Sequence, residues 1–189
     1  MVGGRPNVSH ERCEACGFDG ARYDDPGLLG AIRALGPRWR SLLAASGPEL
    51  RLRPGPQVWS AIEYAAHSRD ITALHVFGVE QALTGEEPVL PAVAADDLIE
   101  SAAATYGGAD PDAVAAELAR QAVLLARLAQ DAGSDAWTRG LTVGDDRRDV
   151  RELLEHALHD SVHHLADVER GLARLREGRD AAGPGSETG

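Results

Sequence analysis

The stretch "VRELLEHALHDSVHHLADVERGLARLR", residues 150–176, decides how the chain is read. Leu154, Leu158, Leu165, Val168 and Leu172 recur every three or four positions, the spacing of one face of an α-helix. The same stretch holds His156, His159, His163 and His164, four of the chain's seven histidines. A long amphipathic helix with a cluster of imidazoles calls for partner helices to cover its apolar stripe. It also calls for a partner for the histidines.

Such helices are present upstream. "DDPGLLGAIRALGPRWRSLLAAS", residues 24–46, carries Leu28, Leu29, Ile32, Leu35, Trp39, Leu42 and Leu43 at helical spacing. Asp25 suits its cap and Pro26 its first turn, while Gly36-Pro37 predicts a kink. A second helix is predicted from Val58 to Leu83 and a third from Asp112 to Ala132, the latter announced by Asp110-Pro111. Residues 96–106 read as a short helix. Residues 133–149 read as a loop around a buried Trp137. Neither alternation of the strand type nor an internal repeat is apparent. The expectation is an all-α four-helix bundle over residues 25–177, preceded by a Cys-containing segment (1–24) and followed by a disordered tail (178–189).

Composition narrows the function classes. The 189 residues are 43% hydrophobic but only 4% aromatic, a mix suited to helices. Net charge is −11, and the 19 basic residues, all arginine, form no stripe, which argues against nucleic acid as a partner. No apolar run approaches the roughly 18 residues of a membrane span. The amino terminus lacks a signal-peptide pattern, so a cytoplasmic protein is expected.

The histidines admit two readings from spacing alone. His159 and His163, at i and i+4, are separated by about 6 Å of rise and 40° of rotation, as a metal-gripping pair requires. His156 with His159 is the competing pair. On the second helix His67 stands between Glu63 and Asp70, and the three lie within about 60° of one another on a face shared with Trp59 and Phe77. Polar groups on an inward face need partners. The stripe of the last helix, however, centres away from His159 and His163, so the pair faces either a groove or water.

"VWSAIEYAAHSRDI", "DAWTRG" and "VRELLEHALHDSVHHLADV" together resemble the DinB-like superfamily, which includes mycothiol-dependent maleylpyruvate isomerase and bacillithiol S-transferases. The resemblance covers residues 26–176. It implies a four-helix bundle with a divalent metal, zinc or nickel, held by His67, His159 and His163, with open positions for water or substrate. It assigns His156 and His164 to supporting or surface roles; His75 falls on the far side of its helix. Glu63 and Asp70 would then orient His67 or act on a bound water. The chemistry implied is activation of a small thiol, mycothiol in an arginine- and alanine-rich chain of this kind, for attack on a small electrophilic substrate. The alternatives are a metal-dependent hydrolase and a non-catalytic metal-binding stress-response protein.

"HERCEACGFDG", residues 10–20, departs from that pattern. Cys13 and Cys16 have the C-x2-C spacing of half a zinc knuckle, with His10 as a third ligand and Gly17 and Gly20 to permit a tight turn. The expected role is a structural zinc separate from the histidine triad, its fourth ligand from a water, an acidic side chain or a homodimer partner. A redox dithiol and unliganded thiols are the competing readings. A contribution of this segment's thiolate to the triad itself has only the ligand types in its favour.

Overall fold

The computed structural model describes residues 10–91, 102 and 104–182. Asp24 caps the first helix, α1 (Asp25–Arg33), by accepting from the Gly27 N–H at 2.8 Å, one residue before the position expected. Pro37 has no N–H to return to the Arg33 carbonyl, and the chain breaks at Ala34 into α2 (Leu35–Ser46). The two segments make one bent arm of the bundle. Gly36 lies where α2 crosses the helix Pro111–Ala132 (α4). A Cβ at Gly36 would stand 2.4 Å from the Ala119 Cβ, so only glycine allows this approach.

The second arm, α3 (Ala61–Thr84), starts at a capping box in which Ser60 and Glu63 satisfy each other's backbone. Asp110 caps α4 through the Ala113 N–H at 2.8 Å. The last arm, α5, runs over Val150–Ala182. Asp149 and Glu152 bond reciprocally at its start, with N–H···O distances of 2.9 and 2.8 Å. It continues past the end predicted at Arg176 because Arg176 donates to the Ala45 carbonyl (2.8 Å) and Arg179 pairs with the buried Glu49. Residues 178–182, expected in the tail, are therefore helical.

The architecture is a four-helix bundle. α3 packs on α4 and α5, and the bent α1–α2 arm packs on α4 and α5. Leu28, Ile32, Trp39, Ile62, Leu118, Leu125, Leu154 and Leu158 are among the residues of its core, all but fully buried. At roughly 25 cal/mol per Å² of apolar surface, such burial is the main stabilising contribution.

Two short β-ribbons were not legible as alternation because their strands are too brief. β1 (Arg12–Cys13) and β2 (Phe18–Asp19) form an antiparallel hairpin at the amino end. β3 (Val89–Leu90) runs parallel to β4 (Gly140–Val143), which pairs antiparallel with β5 (Asp146–Asp149). Trp137, buried as expected, donates to the Ala129 carbonyl at 2.9 Å. Of the helix expected at 96–106, residues 104–106 are helical and most of the rest lies outside the described residues. No described helix is long and apolar enough to cross a membrane.

Candidate metal centres

On α5, a step of one residue turns the helix by about 100°. His159 and His163 therefore look one way, and the equally spaced Asp160 and His164 another. The Asp160/His164 side meets α3. There His67, Asp160 and His164 each bring one ligand atom within 4.8 Å of the others. The His67 and His164 rings are 5.1 Å apart, and His164 Nε2 is 3.3 Å from Asp160 Oδ1.

Electrostatics suit a cation at this point. Burial lowers the pKa of His67, favouring the neutral imidazole that binds metals. Burial also acts to raise the Asp160 pKa, but the hydrogen bond and charge of His164 outweigh it and keep the group a carboxylate. For His164 burial acts downward, and Asp160 and Asp167 drive the pKa up to about 9. Trp59 packs edge-on against His67 at 5.0 Å, and its buried Nε1–H has no hydrogen-bond partner among the described residues. Two imidazoles and one carboxylate are a donor set for a divalent metal with positions left open.

The opposite pair meets the amino-terminal hairpin. Cys13, Cys16, His159 and His163 each bring one ligand atom within 4.8 Å of the other three. Cys13 Sγ lies 3.5 Å from His163 Nδ1. His159 stacks on Phe18 at 5.0 Å, and its Nδ1 is 2.7 Å from Glu11 Oε1. A hydrogen bond from the Cys16 backbone N–H, followed by those of His159 and His163, brings the Cys13 thiol down to about 6.

The trio His67, His159 and His163 is thus divided between two groups. Among the described residues, His67 shares a ligand cluster with Asp160 and His164 and not with the other pair. A count of histidines passes over Asp160, although Asp160 and His164 have the same i, i+4 spacing. His10 is likewise outside the thiols' ligand group; its Nδ1 meets Glu155 Oε1 at 2.8 Å. His156 and His159 share Glu11, whose pKa burial would raise but the two imidazoles hold at about 2.

Glu63 and Asp70, expected beside His67, are engaged elsewhere. Glu63 is 3% exposed, with both oxygens committed: Arg53 donates to them at 2.6–3.2 Å, and the Ser60 N–H and O–H each at 2.7 Å. Asp70 is exposed and pairs with Arg69 at 2.7 Å. Burial acts to raise the Glu63 pKa, but Arg53 and Ser60 outweigh it and hold it below the usual carboxylate value. Its contribution to stability is therefore present above the ordinary carboxylate pKa and lost as pH falls through the depressed one. Glu63→Gln is expected to cost about 2–3 kcal/mol. Metal content should be unchanged. Calorimetry paired with elemental analysis checks both; loss of metal without loss of stability would return Glu63 to the metal site.

Beside the three-donor cluster lies a cavity of about 530 Å³, whose wall includes Ile71, Leu74, Phe77, Leu141, His75 and Asp160. His75, placed by sequence on an uninvolved side, is buried, with its Nδ1 2.8 Å from the Ile71 carbonyl. That bond makes Nδ1 the protonated nitrogen and leaves Nε2 a lone pair. Burial lowers the His75 pKa, so the ring is neutral. Helical phase alone could not find it, because strands β4 and β5 build the cavity's other wall.

Comparison with known proteins agrees with this architecture. Residues 30–168 match the DinB superfamily. No curated protein matches the chain. Among solved structures, YfiT from Bacillus subtilis aligns with a TM-score of 0.69 over 80% of this chain and 87% of its own, at 16% identity. YfiT is described as a probable metal-dependent hydrolase with an unusual four-helix bundle topology; at that identity the likeness speaks to fold. The amino-terminal hairpin lies outside the matched span. From the bent first arm to the histidine-bearing last helix, this chain belongs to the DinB superfamily.

Proposed function

We propose that the protein is a metal-dependent enzyme that transfers a small thiol of the mycothiol type to a small, partly apolar electrophile, or isomerises that electrophile through the thiol adduct. The observation that carries this reading is the three-donor cluster of His67, Asp160 and His164, whose Asp160 forms part of the wall of a cavity of about 530 Å³. A divalent ion, zinc or nickel, held there would lower the pKa of a thiol or water bound at an open position.

The chain's own groups supply the rest. His75 Nε2, unprotonated because Nδ1–H is donated to Ile71, accepts the nucleophile's proton within the cavity. Ile71, Leu74, Phe77 and Leu141 take the apolar part of the substrate and exclude water from it. Arg148 on the same wall offers a cation to a carboxylate of substrate or thiol. A reducing cytoplasm would keep such a thiol available.

Hydrolysis is the second reading. The description of YfiT favours it, as does His75, which could serve a water as readily as a thiol. Incubation of the metal-loaded protein with mycothiol and monochlorobimane tests the choice. The expected result is thiol-dependent conjugation, about 100-fold slower in His75→Gln. Metal-dependent cleavage of ester or amide probes without thiol consumption would replace transfer by hydrolysis.

A further inference from the structure

We infer that Cys13, Cys16, His159 and His163 form a second, structural zinc site that staples the amino-terminal hairpin to the last helix. The inference does not rest on the proposed transfer chemistry, since it uses none of the same ligands. Two thiolates and two imidazoles are a complete tetrahedral set. With Zn–S near 2.3 Å and Zn–N near 2.0 Å, ligand atoms in such a site stand about 3.6 Å apart. The four atoms here already lie within 4.8 Å of one another, and Cys13 Sγ and His163 Nδ1 are at 3.5 Å. Side-chain adjustments of about 1 Å close the set.

The surroundings are those of metal-bound histidines, which usually give their second ring N–H to a carboxylate. His159 Nδ1 meets Glu11 at 2.7 Å. Its other nitrogen, Nε2, is buried and has no hydrogen-bond partner among the described residues. Leaving a buried ring nitrogen unpaired is costly, and a ligand removes that cost. His163 repeats the arrangement in mirror form. Its Nδ1 faces Cys13, and its Nε2 is 3.4 Å from Asp167 Oδ2. Each imidazole thus has one nitrogen on a carboxylate and the other available to the thiols. A redox dithiol would need neither histidine.

The backbone fits as well. Cys13 ends β1, and Gly17, at φ 73°, turns the chain back into β2. Only glycine adopts that conformation readily. A hairpin with two-residue strands cannot hold itself together, so a metal tie has a clear structural use. With all four positions filled by protein, the site is closed to substrate.

The two sites meet at one carboxylate. Asp167 Oδ2 is 3.4 Å from His163 Nε2 and 3.6 Å from His164 Nδ1. Its charge lies between one histidine of each group.

Cobalt replacement of metal in the full-length protein tests the inference. The expected spectrum contains a thiolate-to-cobalt charge-transfer band in the near ultraviolet and the intense visible bands of tetrahedral cobalt. Both should vanish in Cys13→Ser/Cys16→Ser and fall sharply in His163→Ala, while His67→Ala keeps them. Elemental analysis should drop from two metal equivalents per chain to one in the cysteine double variant. Because that variant could fail through loss of folding, its circular dichroism is compared, and His67→Ala serves as the folded control. Absence of the charge-transfer band from the wild-type protein would overturn the site. So would its persistence in His159→Ala/His163→Ala, or ready conversion of the two thiols to a disulfide in the zinc-loaded protein.

Discussion

His164→Ala is expected to weaken metal binding at the α3–α5 cluster by about 100-fold or more and to abolish any activity that depends on it. Among the described residues His164 has the strongest claim to this position. Its Nε2 is 3.3 Å from Asp160 Oδ1, its ring is 5.1 Å from that of His67, and Nδ1 has Asp167 behind it at 3.6 Å. Removing the imidazole leaves one imidazole and one carboxylate, too few donors to compete with water for a divalent ion. Asp160→Asn should weaken binding almost as much, since it removes the cluster's only negative charge. The helix should survive both changes, because neither side chain belongs to the apolar core. Titration of the metal-free variants with zinc or nickel checks the outcome, alongside His159→Ala. If His159→Ala loses this metal and His164→Ala retains it, the metal is held by His67, His159 and His163 instead.

The bundle was legible because long helices repeat their signal many times. Leu154, Leu158, Leu165, Val168 and Leu172 each report the same face, and every one is buried. Asp25-Pro26 and Asp110-Pro111 added local start signals within one residue of the observed starts. The ribbons were not legible, since two- or four-residue strands give periodicity nothing to repeat over. For the candidate site, the sequence brought forward α3, α5 and an i, i+4 pair, but not which of two adjacent pairs faces α3. That choice turns on a helical rotation of about 100°, which side-chain type alone does not fix. Counting imidazoles favoured His159/His163 over Asp160/His164. Similarly, Glu63 stands one turn from His67 on the wheel, yet its carboxylate is committed to the Ser60 capping box and Arg53. Tertiary partners such as Arg53, ten residues away, are invisible to a helical projection.

Arg151→Leu is expected to destabilise the protein by about 3–5 kcal/mol, the cost of breaking a buried ion pair from one side. Arg151 is 8% exposed and Glu155, four residues on, is 1% exposed. The guanidinium Nε donates to Glu155 Oε1 at 2.6 Å, Nη1 to Asp25 at 2.8 Å and Nη2 to the Tyr23 carbonyl at 2.7 Å. Glu155 in turn accepts from the Glu11 N–H at 3.2 Å and meets His10 at 2.8 Å. Gly20 is packed so closely that a Cβ would stand 2.3 Å from Glu155 Oε2. Leucine could fill the space of the arginine stem but would leave the carboxylate buried without its main counter-charge. The hairpin and the start of α1 would lose their common anchor on α5. At about 2–4 °C per kcal/mol for a chain of this length, the melting temperature should fall by roughly 10 °C. The exposed pair Arg127–Asp131, 3.4 Å apart on α4, provides the contrast: Arg127→Leu should cost no more than about 0.5 kcal/mol. Equal losses in the two variants, measured by denaturant unfolding, would show that the Arg151–Glu155 cluster does not anchor the hairpin. If it does, zinc affinity at the cysteines should fall in Arg151→Leu while the α3–α5 cluster keeps its metal, because the anchor positions only the hairpin's two ligands.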